Sequence, residues 1–114
     1  LNRVFTETER RRCDRLAVPA PCYARRFAAK EAMSKALGTG LSQGVFWRDL
    51  AVVNRPGGKP TFQLTGGALE KLKAMTPDGF MAKIELTITD EPPQAHAMVI
   101  VSAIPSEWAE KFGV

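Results

Sequence analysis

Hydrophobic residues recur along this chain with two different periods, and each change of period marks an element. Thr6-Glu7-Thr8-Glu9 forms a capping box, in which threonine accepts from a backbone N–H and glutamate reaches back to the cap. A first helix is expected from there to about Leu16, ended by Pro19 and Pro21, which have no backbone N–H to donate. A second helix is expected from near Cys22 to near Leu37. Ala24, Ala28, Ala29, Ala32 and Ala36 keep it slim, and Phe27, Met33 and Leu37 add bulk on more than one side. Such a helix packs closely against neighbours. Gly38 and Gly40 supply its stop.

Beyond the glycines the pattern turns to strands. Residues 45–54 are β-branched and aromatic enough for one strand. Arg55-Pro56-Gly57-Gly58 reads as a turn, and residues 61–65 alternate Phe62 and Leu64 with polar neighbours, so a hairpin is expected. A third helix follows Gly66-Gly67, with Leu69, Leu72 and Met75 at helical spacing, and Pro77-Asp78-Gly79 closes it. Ile84, Leu86 and Ile88 then alternate with Glu85, Thr87 and Thr89, a half-buried strand with a polar face. After a turn at 90–93, residues 95–104 form a long apolar run expected at the centre of the sheet. A short helix is expected over 106–112. The sum is one α+β domain over residues 1–114, an antiparallel sheet with packed helices.

The 114 residues are 45% hydrophobic and 25% charged, a globular balance. No apolar run of about 18 residues suggests a membrane span, and no secretory leader is expected in the opening residues. Cys13 and Cys22 lie nine positions apart, outside any CxxC pair, and a single histidine leaves no zinc set. Free thiols in a reducing cytosol are expected, with a disulfide as the alternative. Residues 1–35 carry nine Lys/Arg against four Asp/Glu, and the remainder seven against eight. The basic third is either a solvated helix face or a surface for an acidic partner: a nucleic acid, a phosphorylated cofactor or an acidic protein. The chain opens at Leu1 without methionine, so an upstream segment is expected.

The second helix holds the main chemical signal. Glu31 and Lys35 are four apart and share a face with Ala24, Phe27 and Ala28. They are either a surface ion pair of small worth or a carboxylate and an ammonium facing a cleft. In the second reading Glu31 holds a hard cation such as Mg²⁺, Lys35 neutralises phosphate charge, and Arg26 and Lys30 add positive charge one turn earlier. Gly57-Gly58-Lys59-Pro60 is a hairpin turn that also lets a ligand approach the backbone. Thr87, Thr89 and Asp90 line a polar strand face that is either merely wet or part of a site. His96 reads as a core or interface histidine, and Trp47 and Trp108 as packing residues. No nucleophile elbow, P-loop or HExxH is present.

Residues 26–40, Arg-Phe-Ala-Ala-Lys-Glu-Ala-Met-Ser-Lys-Ala-Leu-Gly-Thr-Gly, resemble the signature helix of the holo-acyl-carrier-protein synthases, within the 4′-phosphopantetheinyl transferases. Residues 46–54 followed by Gly58-Lys59-Pro60 resemble that family's next strand and turn, and Leu64 with Gly67-Ala68-Leu69 its following strand and helix. Leu86-Thr87-Ile88-Thr89-Asp90-Glu91 is similar to a segment reading V-S-x-S-H-E or V-T-x-x-D-E in relatives, and residues 97–102 resemble the closing strand.

The resemblance implies Mg²⁺-dependent transfer of 4′-phosphopantetheine from coenzyme A to a serine of an acidic acyl carrier protein. Adenosine 3′,5′-bisphosphate leaves, in the service of fatty acid biosynthesis. It implies a cytoplasmic homotrimer with each site between neighbouring subunits. Glu31 would be a metal ligand and Lys35 would touch the pyrophosphate. Arg26, Gly38, Gly58, Lys59, Pro60 and Thr87 would line the coenzyme A cleft. The family's opening strand, G-x-G-x-D, whose aspartate is the other metal ligand, is not in this sequence, and Asp90 and Glu85 depart from common histidines. Two alternatives follow from the residues: a non-catalytic binding or scaffold relative that lost the second metal ligand, and a nucleic-acid-binding domain. The basic stretch lacks the interleaved aromatics that the latter needs.

Overall fold

The computed structural model describes residues 3–91 and 93–113. Its elements run α1 (Glu7–Asp14), α2 (Ala20–Ala36), a 3₁₀ turn (Trp47–Asp49), β1 (Leu50–Asn54), β2 (Pro60–Leu64), α3 (Gly66–Met75), β3 (Phe80–Glu91), β4 (Gln94–Pro105) and α4 (Ser106–Phe112). The order is that of an α+β domain, as expected.

The capping box forms as read: Thr6 Oγ1 accepts from Glu9 N at 3.2 Å, and Glu9 Oε1 accepts from Thr6 N at 2.8 Å. α2 buries one stripe, Cys22, Arg26, Ala29, Met33 and Leu37 just past its end, at the spacing that keeps residues on one side of a helix. Met33 and Leu37 join Val45, Leu50 and Ala68 in one core cluster, while Ala29, Val52 and Leu86 form a second. Phe62 and Val99 border both clusters and make them one continuous core.

The strands form two antiparallel ribbons, β1–β2 and β3–β4. In the longer ribbon Ile84 opposes Val101, Leu86 opposes Val99 and Ile88 opposes Ala97. These pairs turn toward α2. The alternate pairs, Glu85 with Ile100, Thr87 with Met98 and Thr89 with His96, turn outward. The expectation that 95–104 is a central strand is therefore corrected: among the described residues β4 pairs with β3 alone. Its run is apolar on both sides, but Met98 and Ile100 are 63% and 50% exposed. His96 is likewise exposed and not a core residue of the single chain.

The strand expected over 45–54 begins only at Leu50. Asp49 is the reason: its Oδ2 accepts from Phe46 N at 3.2 Å, and its own N–H donates to Phe46 O at 2.9 Å, which winds 46–49 into a turn. Gly66 lies against this turn, where a Cβ would sit 2.7 Å from Asp49 Oδ1, and Gly67 lets the chain at Gly44 approach, where a Cβ would sit 2.0 Å from Gly44 O.

Cys13 and Cys22 are joined by a disulfide, with Cα atoms 5.4 Å apart, which corrects the expectation of free thiols. The exposed connection after Asp14 folds the end of α1 back onto the first turn of α2, and both sulfurs meet in the interior.

Candidate active site

The stripe that α2 buries fixes what it shows. Opposite Ala29 and Met33 the helix presents Ala24, Phe27, Glu31 and Lys35, all exposed. The Glu31 carboxylate and the Lys35 ammonium make no hydrogen bond or ion pair with any described residue, so the surface ion pair weighed from the sequence does not form. Trp47 leans on Phe27 with ring centroids 5.1 Å apart and forms an apolar wall beside this face.

Lys30 does not join that face. It is fully buried and turned toward α1 and β1, where its ammonium lies 2.9 Å from Glu9 Oε1. It also donates to Trp47 O at 3.1 Å and Leu50 O at 3.0 Å. Glu9 Oε2 accepts from Val52 N at 2.8 Å. The expectation that Lys30 adds charge to the cleft is thus corrected: all three of its donors are used internally. Burial pulls the Lys30 ammonium below the ordinary lysine range, and the Glu9 carboxylate opposes that pull.

Arg26 also points inward, 6% exposed, with one guanidinium nitrogen 3.0 Å from Asn54 Oδ1 and another 3.2 Å from Cys22 Sγ. Asn54 Nδ2 in turn donates to Gly58 O at 2.8 Å. This relay ties α2 to the β1–β2 turn, where Gly57 and Gly58 hold φ of +99° and +92°. Burial lowers the Arg26 pKa, and the neighbouring Arg12 charge adds to the effect. Arg26, Asn54 and Pro60 share the wall of a cleft of about 580 Å³. Lys59 and Pro60 line a smaller one of about 180 Å³ with Lys83 and Glu85.

The structure therefore brings Arg26, Gly58 and Pro60 together, with Lys59 adjacent. Glu31, Lys35 and Gly38 lie elsewhere, along and just beyond the outward side of α2. Thr87 is exposed on the ribbon face turned away from α2. Asn54 and the Glu9–Lys30 pair escaped sequence reasoning. Glu9 was legible as a cap, but its second oxygen's partner was not.

Among the described residues no group of three His, Cys, Asp or Glu could hold a metal ion. One free carboxylate at Glu31 fits a Mg²⁺ that takes its other ligands from substrate phosphates and water, as Mg²⁺ commonly does; it does not fit an all-protein cage.

Residues 1–95 match the sequence model of the 4′-phosphopantetheinyl transferase superfamily. A holo-[acyl-carrier-protein] synthase of Methylorubrum extorquens is 64% identical over 104 residues, covering 91% of this chain and 76% of that protein. The crystal structure of the synthase from Neisseria meningitidis superposes with a TM-score of 0.73 at 32% identity, covering 89% of this chain and 78% of that one. That of the Helicobacter pylori synthase in complex with coenzyme A gives 0.71 at 26% identity, covering 90% and 80%. With its α+β fold, its exposed Glu31–Lys35 face and these relatives, the chain belongs to the 4′-phosphopantetheinyl transferase superfamily, among the holo-[acyl-carrier-protein] synthases.

Proposed function

We propose that the chain moves 4′-phosphopantetheine from coenzyme A to a serine of an acyl carrier protein, with Mg²⁺, releasing adenosine 3′,5′-bisphosphate. The relatives' names and the coenzyme A complex of the Helicobacter pylori structure support the substrates. The observation that carries the reading is the unpartnered Glu31 and Lys35 on the outward side of α2. A carboxylate and an ammonium one turn apart, engaged with nothing of their own chain, suit a pyrophosphate and its cation.

The nucleophile belongs to the carrier protein, so no internal serine–histidine pair is needed. The serine hydroxyl gives up its proton to solvent as its oxygen forms a bond to the phosphorus bearing pantetheine. The bond from that phosphorus to the adenosine bisphosphate oxygen breaks, and the electron pair leaves with that oxygen. Glu31 holds the cation and Lys35 offsets charge on the pyrophosphate. Magnesium, when bound, supplies Lewis-acid stabilisation of the phosphoryl oxygens. Arg26, Gly38, Gly58, Lys59, Pro60 and Thr87 bound the coenzyme A cleft. The basic face of α1 steers the acidic carrier, here one of fatty acid synthesis.

The assembly is a homotrimer with sites between subunits. The supporting observation is geometric. Thr87 faces away from α2, and Glu31 faces away from the ribbon, so within one chain the two point to opposite sides. A cleft holding both needs the ribbon of one chain beside α2 of another, and the exposed Met98 and Ile100 flank Thr87 where such a contact would lie. No helix among the described residues is long and apolar enough to cross a membrane.

Mass spectrometry of an apo carrier protein incubated with this protein, Mg²⁺ and coenzyme A tests the reading. A phosphopantetheine adduct that disappears with chelator is expected. Adduct formation that is indifferent to both chelator and Glu31→Ala would remove the metal role.

A further inference from the structure

The disulfide between Cys13 and Cys22 lies beside a cluster of four arginines. Cys22 is in the wall of the 580 Å³ cleft, whose other lining residues include Arg12, Arg15, Arg25 and Arg26. Arg26 donates to Cys22 Sγ at 3.2 Å. Arg25 is paired with Asp90 at 3.1 Å, whereas Arg12 and Arg15 have no hydrogen-bond or ion-pair partner among the described residues. Both cysteines are buried, Cys13 at 0% and Cys22 at 2% exposure, but of the two it is Cys22 that reaches that wall. The connection between the helices is exposed from Arg15 to Val18, with Leu16 and Val18 47% and 66% exposed, so it can open at small cost.

We propose that Cys13 and Cys22 are a redox-active pair, with Cys22 the reacting sulfur and the arginine-lined cleft the entry for an anionic low-molecular-mass disulfide. In the reduced protein a guanidinium beside Cys22 favours its thiolate. That thiolate attacks one sulfur of the incoming disulfide, forms a mixed disulfide and expels one thiolate. The Cys13 thiolate then attacks Cys22 Sγ, forming the protein disulfide and expelling the second thiolate. The protein loses two electrons and the small disulfide gains them; the two cysteine protons go to solvent or to the departing thiolates. Reduction runs the same path backwards, with an anionic thiol entering at Cys22 and Cys13 leaving first. Oxidation fastens the end of α1 to the start of α2, and reduction releases it.

The test uses the whole protein, reduced and desalted, then exposed to glutathione disulfide or to neutral 2-hydroxyethyl disulfide. Samples are quenched with a maleimide and weighed intact. Ring closure under native conditions is expected. Cys13→Ser should accumulate one glutathione adduct, mapped to Cys22, whereas Cys22→Ser should leave Cys13 unmodified. The double variant Arg12→Ala/Arg15→Ala should slow oxidation by glutathione disulfide by about threefold or more and leave the neutral reagent unaffected. Reaction only in denaturant, an adduct on Cys13, or equal sensitivity of both reagents to the arginine changes would overturn the proposal. The arginine variant keeps both cysteines, so its comparison with the wild type on the two reagents decides the matter even where a cysteine variant folds poorly.

Discussion

Glu9 and Lys30 meet at 2.9 Å with neither side chain exposed to solvent. The pair links three elements: Glu9 sits in α1 and takes the Val52 N–H of β1, while Lys30 comes from α2 and caps carbonyls at Trp47 and Leu50. Removing one partner would strand a buried charge, at a cost of about 3–5 kcal/mol. Lys30→Met is thus expected to lower stability steeply in urea unfolding. Adding Glu9→Gln should restore part of the loss, because no charge then remains buried. A double variant no more stable than Lys30→Met would mean that the cost lies in lost packing.

Glu31 and Lys35 pose the opposite case. Both are exposed and unpartnered, so the fold does not depend on them. Glu31→Ala should leave the unfolding midpoint within experimental error and lower transfer by about a hundredfold or more, the size typical of losing an electrostatic contact made in the transition state. Lys35→Ala should act similarly, with Lys35→Arg recovering part of the rate. Unchanged turnover in either alanine variant, measured by carrier mass shift, would detach that residue from the reaction.

Met98 stands opposite Thr87 on the outward face of the β3–β4 ribbon, 63% exposed in the single chain. If that face meets another copy, a charge placed there must be desolvated. Met98→Asp is expected to shift the proposed trimer to monomer in sedimentation, with transfer falling in parallel. A variant that sediments as the wild type, or a monomer with full activity, would end the intersubunit reading.

What could be read from the residues depended on how local its cause was. The capping box at Thr6, the stop at Gly38 and the alternation through Ile84, Leu86 and Ile88 are decided within a few residues, and each appeared where expected. Residues 45–49 misled because β-propensity there is overruled by one side chain, that of Asp49. The run at 95–104 misled because an apolar outer face resembles a buried one. The spacing of Glu31 and Lys35 gave their shared face. Two other matters hang on tertiary packing that no spacing encodes: the inward turn of Lys30 toward Glu9, and the bond between Cys13 and Cys22.

Tyr23 is the chain's only tyrosine, so its ionisation can be followed without ambiguity of assignment. Its hydroxyl donates to Asp14 Oδ1 at 2.7 Å, and this bond, more than its slight desolvation, raises its pKa above the ordinary value of 10.0. The bond joins the end of α1 to α2 beside the disulfide. Because the folded pKa is raised, whatever stability the bond contributes is complete below about pH 10 and is lost as pH rises through the folded value. Ultraviolet titration of the native protein should therefore show a midpoint above that of the unfolded chain. Asp14→Asn removes the charged acceptor and should bring the two midpoints together; a native midpoint unmoved by that substitution would show that Asp14 is not what holds the phenol proton.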